Sequence, residues 1–212
     1  MSPSPSPRGR KKSQVLGEFR RTEILDAARR VFARKGFAEG IMDAIAREAN
    51  IAKGTIYLYF RSKSDVYKAL LHHDMNLLQQ YTLERLDRAI SLREKVEAFL
   101  LARLEHADQK REFFRVMDSE RTNLHMTRKQ YRDFLEEPVT RLRAAFDEAM
   151  ARGEIRTLDS ERTAWLVVDV ARGAIQRRLL SQHPVTPAEE VAFLLDFLWH
   201  SLTTARPEPV RS

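Results

Sequence analysis

Between Met42 and Phe60 the apolar positions change rhythm, and the rest of the chain is organised around that stretch. Met42, Ile45, Ala46 and Ala49 recur at helical spacing and stop at Asn50, which predicts a short helix ended by a residue that tolerates left-handed backbone. Ile51 then drops back toward a core. From Lys53 to Phe60 a second short helix is predicted, with Ile56 and Phe60 on one side and Lys53, Thr55, Tyr57 and Tyr59 offering polar tips on the rest. Two short helices about a tight turn make a helix-turn-helix, whose second helix can reach base edges and phosphates.

The flanking patterns are also helical. Met1 to Ser13 alternates Ser and Pro before turning basic at Arg8, Arg10, Lys11 and Lys12, so a disordered tail is expected that either lies along a minor groove or only solubilises. Arg20 to Lys35 carries Ile24, Ala28, Val31 and Phe32 on one stripe and stops at Gly36. Ser62 caps the next helix, with Asp65 in the capping-box position, and Val66, Leu70, Leu71, Met75 and Leu78 run on toward Leu86 without Gly or Pro. Such a helix spans about 30 Å and suits a rod between two domains.

Ser91 and Glu94 form a capping box before Val96, Phe99 and Leu100, and a short helix is expected around Phe113, Phe114, Val116 and Met117. A longer one is expected from Thr127 to Arg152, stopped by Gly153 and kinked or broken just before Pro138. Asp159 or Ser160 and then Thr186-Pro187-Ala188-Glu189 open the last two helices. No strand is predicted. The expected fold is all-α: a tail over 1–17, a helix-turn-helix domain over 18–78, and a helical C-terminal domain over 79–205.

Composition sharpens the picture at one point, the placement of charge. The net charge is +7, yet residues 1–63 hold 14 Lys and Arg against 6 Asp and Glu, whereas residues 64–212 hold 23 against 24. A merely soluble basic surface would not require this segregation; a polyanion partner at the helix-turn-helix end would. Hydrophobic content of 43% with only 7 Gly among 212 residues suits a soluble helical protein with a substantial core. No apolar run approaches the roughly 18 residues of a membrane span, and no apolar signal region opens the chain, so a cytoplasmic location without membrane contact is expected. There is no Cys. His72 and His73 are adjacent, which on a helix points them about 100° apart and makes a poor metal pair. Lys53-Gly54-Thr55 lacks the upstream glycines of a phosphate loop, and no hydrolase or metalloprotease motif occurs. Neither an enzyme, a metal nor a cofactor is expected.

Ile24-Leu25-Asp26-Ala27-Ala28, Val31-Phe32, Lys35-Gly36-Phe37, Ile45-Ala46, Ala49-x-Ile51, Lys53-Gly54-Thr55-Ile56-Tyr57, Tyr59-Phe60 and Ser62-Lys63 together resemble the DNA-binding domain of the TetR/AcrR family of bacterial transcriptional regulators. Asn50, Ala52 and Ile41 depart from the family pattern, where Gly, Ser or Thr, and Thr or Ser are usual. The resemblance implies DNA contacts from Lys53, Thr55, Tyr57, Tyr59 and Lys63. Charge and position add Arg47, and the missing side chain of Gly54 permits close backbone approach.

One motif buries little surface, so doubling on a palindromic site is expected. Trp165, Val168, Ala171, Ile175 and Leu179 are the candidates to meet Val191, Leu195, Leu198 and Leu202 in a four-helix bundle across a two-fold axis, unless these stripes face their own subunit's core. In the resembled family the region between forms a pocket for a small effector. Candidate lining residues are Phe99, Phe114, Met117, Phe134 and Phe146, with Arg103, Arg121 or Gln176 as polar orienters. The expected function is a homodimeric repressor that leaves a palindromic operator when it binds an apolar or amphipathic small molecule. The alternative is a sequence-indifferent architectural DNA-binding protein without an effector.

Overall fold

A computed structural model describes residues 7–36, 40–111, 127–182 and 185–203, and its helices start and stop where the caps ask them to. In chain order they are α1 (Pro7–Lys35), α2 (Ile41–Glu48), α3 (Lys53–Tyr59), α4 (Lys63–Arg88), α5 (Leu92–Gln109), α6 (Arg128–Ala151), α7 (Ser160–Leu180) and α8 (Pro187–Thr203). Among the described residues there is no strand, and no helix is long and apolar enough to cross a membrane. Phe113, Phe114, Val116 and Met117 lie outside the described residues, as does Arg121.

The starts are chemical. The Ser91 side chain accepts from the Glu94 amide at 3.2 Å while the Glu94 carboxylate accepts from the Ser91 amide at 3.3 Å, and Thr127 with Gln130 and Thr186 with Glu189 make the same reciprocal pair. The Ile90 amide and then the Ser91 amide pull the Glu94 carboxyl below its usual range, and the Thr186 amide and hydroxyl do the same to Glu189. Stops are chemical too. After α6, Gly153 turns left-handed at φ 70 and the Glu154 amide reaches back to the Ala149 carbonyl at 2.9 Å.

Two expectations change. The tail expected over 1–17 is helical from Pro7 onward, because Pro is preorganised at a first helical position and Arg, Lys, Gln and Leu extend an existing helix at little cost. Pro138 does not end its helix: α6 runs through it. Pro138 removes one amide donor, that toward Phe134, while Phe134, Leu135, Val139 and Leu142 on either side are buried in one core, so the kink or break expected there is not a break.

Two compact units divide between Asp74 and Met75, inside α4. The N-terminal unit closes on Ile24, Val31, Phe32, Ile45, Ile56 and Phe60. Phe32 meets Tyr67 edge to face at 5.5 Å between centroids, and Arg29 of α1 pairs with the buried Asp74 at 2.5 Å and with Asp26 at 2.6 Å. In the C-terminal unit α5 is central, packing on α6, α7 and α8. Its buried Val96, Phe99, Leu100 and Leu104 share a core with Leu135, Leu142 and Phe146 of α6, Val167 and Val168 of α7, and Val191, Leu195 and Leu198 of α8.

Candidate nucleic-acid interface

The turn before α3 sets its direction. Asn50 sits at φ 51, the Ile51 amide donates to the Ala46 carbonyl at 3.0 Å, and the Asn50 amide donates to the Arg47 carbonyl at 3.1 Å. This is the paired hydrogen bonding that ends a helix and turns the chain. Asn50 thus does the work that Gly does more often. Gly40, left-handed at φ 70, precedes α2, and neither it nor Ala52 before α3 supplies a side-chain cap.

Ile56, with no exposed surface, and Phe60 nail α3 to the unit's core. The Arg21 guanidinium of α1 stacks 4.4 Å above the Phe60 ring and so fastens the end of α3. With that side held, Lys53, Gly54, Tyr57 and Leu58 are exposed, and Thr55 and Tyr59 are half-buried. Tyr59 packs on the core, whereas Tyr57 stands 45% exposed. A Cβ added at Gly54 would meet nothing in this chain, so its openness serves no neighbouring helix. Lys63 begins α4 beside Ser62, whose hydroxyl accepts from the Asp65 amide at 3.1 Å.

The cations around α3 are lightly held. Lys53 pairs with Asp43 at 2.9 Å, and that hydrogen bond and charge raise its pKa. Glu48 accepts from Arg30 at 2.7 Å and also from Arg34, which lowers its pKa. Such exposed pairs contribute little to stability, so phosphates can compete for these cations. Arg47 is exposed on α2. One residue escaped the sequence reading: Leu58 is 82% exposed. It follows the buried Ile56 by two residues, about 200° around the helix, which is a signal periodicity alone carries. An outward apolar tip is the kind that meets a thymine methyl.

The C-terminal candidates fare differently. Phe99, Phe134 and Phe146 are buried in one core, while Phe114 and Met117 lie outside the described residues. Of the polar orienters, Arg103 is buried and Gln176 is exposed. Val168, Val191, Leu195, Leu198 and Leu202, expected at a seam between copies, are all buried inside this chain, and Trp165 and Ile175 pack partly on the same core. Leu179 is half-buried. Within this chain the inward stripes of α7 and α8 pack on α5. What those helices leave outside is Leu166 and Leu180 on α7 and Phe193 and Phe197 on α8, both Phe residues being 67% exposed. A surface cleft lined by Asp159, Arg162, Trp165 and Asp169 involves none of the effector candidates.

The profile described as bacterial regulatory proteins, tetR family, matches residues 24–70, the stretch from α1 to α4 that contains the whole motif. An uncharacterized HTH-type transcriptional regulator, TtgW of Pseudomonas putida, is 30% identical over 110 residues, 50% of this chain and 78% of that protein. The chain belongs to the TetR family. As a TetR-family member it is a DNA-binding transcriptional regulator, and the family consists of regulators rather than enzymes. It is also 26% identical over 164 residues to the fatty acid metabolism regulator protein of Bacillus subtilis, covering 69% of this chain and 84% of the relative. Its fold is that of FadR from Bacillus subtilis, solved in complex with stearoyl-CoA: TM-score 0.70, 21% identity, 85% of this TetR-family chain and 98% of that one.

Proposed function

We propose that this regulator is a repressor that binds a palindromic operator as a homodimer and is released when an apolar or amphipathic effector binds its C-terminal unit. The observation that carries the DNA half is the outward face of α3, where Lys53, Gly54, Tyr57 and Leu58 are exposed while Ile56 is fully buried. In this reading Lys53, Thr55, Tyr57, Tyr59, Lys63 and Arg47 hold phosphates, Gly54 lets the backbone approach, and Leu58 touches a base. Dimerisation uses the apolar surface that α7 and α8 leave uncovered, Leu166, Leu180, Phe193 and Phe197, because leucines and phenylalanines so exposed gain most from a partner.

The likeness to FadR and to a fatty acid metabolism regulator supports a long-chain acyl compound as the effector. Binding then shifts the population toward a state whose two recognition helices no longer match successive major grooves, about 34 Å apart. The test is titration of an operator duplex with and without acyl effector, beside random duplex at the same salt. A repressor prefers its site by at least about a thousandfold and loses affinity when effector is added. Equal affinity for both duplexes turns the reading into that of an architectural protein, and operator affinity unmoved by every ligand the protein binds ends the effector half.

A further inference from the structure

Two arginines of the C-terminal unit have been taken out of water, each with a buried Nε that finds no partner, and among the described residues only one of them has a counter-charge. Arg178, 2% exposed, is paired with Asp108 and donates to the Val185 carbonyl at 2.6 Å. Arg103, 7% exposed, pairs with no carboxylate among the described residues, and its Nε and one Nη are sealed from solvent without a hydrogen-bond partner. What surrounds it is aromatic: its guanidinium carbon lies 4.4 Å from the Phe99 ring centre and 5.1 Å from that of Phe134. Rings satisfy the flat faces of a guanidinium. They do nothing for the N–H groups in its plane, which are built to grip a planar anion two at a time.

Burial lowers the pKa of Arg103 to about 10, with Tyr131 opposing, which still leaves the group protonated at neutral pH. A buried cation without a counter-charge is among the costliest arrangements a core can keep. Arg178, paired with Asp108, demonstrates that this unit can supply a carboxylate where one is wanted.

We propose that Arg103 is the anchor for an anionic headgroup, carboxylate or phosphate, at the end of an apolar ligand whose first carbons lie against Phe99 and Phe134. This rests on the reading that the C-terminal unit binds an effector, and narrows it: an uncharged hydrocarbon or alcohol is a poor effector, and a single-headed anionic amphiphile is a good one. Charge-assisted hydrogen bonds in a sealed site supply the discrimination.

The test uses the full chain and four probes of equal chain length, palmitate, hexadecyl phosphate, palmitoyl-CoA and hexadecanol, kept below their aggregation limits, with dissociation constants from tryptophan fluorescence. The wild type should bind at least one anionic probe about tenfold or more tighter than hexadecanol. Tighter palmitate binding identifies a carboxylate headgroup and tighter hexadecyl phosphate binding a phosphate, whereas palmitoyl-CoA bound ahead of both, its phosphates held away from the acyl carbons by the pantetheine arm, overturns a single-headed anchor at Arg103. Arg103→Met and Arg103→Gln should erase that margin and leave hexadecanol affinity unchanged, and Arg103→Lys should restore part of it. Without ligand, Arg103→Met should melt no lower than the wild type, since an apolar side chain replaces an uncompensated charge. A margin that survives Arg103→Met, or a wild type with no margin, overturns the assignment while leaving an effector-binding regulator intact. A wild type that binds none of the probes overturns this assignment and the acyl effector together. The comparison of acid with alcohol on the wild type needs no variant, so a variant that fails to fold does not protect the proposal.

Discussion

The two units of this chain keep their charges in opposite places. In the N-terminal unit the interior is apolar around Ile24, Phe32, Ile45 and Ile56, the buried Asp74 is answered by Arg29, and the cations Lys53, Arg47, Arg30 and Arg34 stand outside. In the C-terminal unit the outside of α7 and α8 is partly apolar, at Leu166, Leu180, Phe193 and Phe197, while Arg103 and Arg178 are buried. Under the proposed function the difference follows the partner. A polyanion too large to enclose must be met by cations on a convex surface, where each is cheap to hold. A small amphiphile is enclosed, so its charge must be answered inside, where every pairing matters more.

This contrast can be broken most forcefully at its centres. Ile56→Ala removes a side chain that has no exposed surface and should cost about 3 kcal/mol in urea unfolding, with DNA affinity lost because α3 loses its hold on the unit. Asp108→Ala strands the buried Arg178. It should cost nearly as much, about 3 kcal/mol, with the loss confined to the C-terminal unit's amides in hydrogen exchange. Stability lost equally from both units would show that the two cores are not separate.

Smaller effects sharpen the contrast at the surfaces. Phe193→Ser with Phe197→Ser alters two exposed residues of α8, so unfolding should move by less than about 1 kcal/mol while sedimentation shifts from dimer to monomer. A variant that remains dimeric places the seam elsewhere. Gly54→Ala meets no atom of this chain and should raise helix stability by up to about 1 kcal/mol while weakening operator binding. Unchanged DNA affinity would show that nothing approaches the backbone at Gly54.

Much of this was legible because local signals agree with each other. Asn50 and Gly153 mark left-handed stops and are found at φ 51 and 70, and Ser91 with Glu94 marks a start that closes as a capping box. Which residues α3 turns outward was legible for a related reason: a helix of 7 residues pinned by Ile56 has little freedom in what it shows. The last two helices were less so. α8 is apolar on two sides, Val191, Leu195, Leu198 and Leu202 inward and Phe193 and Phe197 outward, and periodicity reports a stripe without naming the surface it meets. The continuity of α6 through Pro138 was equally hidden, since packing on either side outweighs one missing amide donor.

From its sequence alone this chain is all-helical, carries a helix-turn-helix, and concentrates its positive charge there, because caps, spacing and composition act over a few residues and need no distant partner. Which face of α7 and α8 closes the core, that Leu58 stands in solvent, and that Arg103 is buried against two phenyl rings without a carboxylate among the described residues were decided only in three dimensions. Those facts depend on residues far apart in the chain, Phe99 on α5 and Phe134 on α6, and no local pattern records which distant side chain will arrive, or fail to arrive, beside a given one.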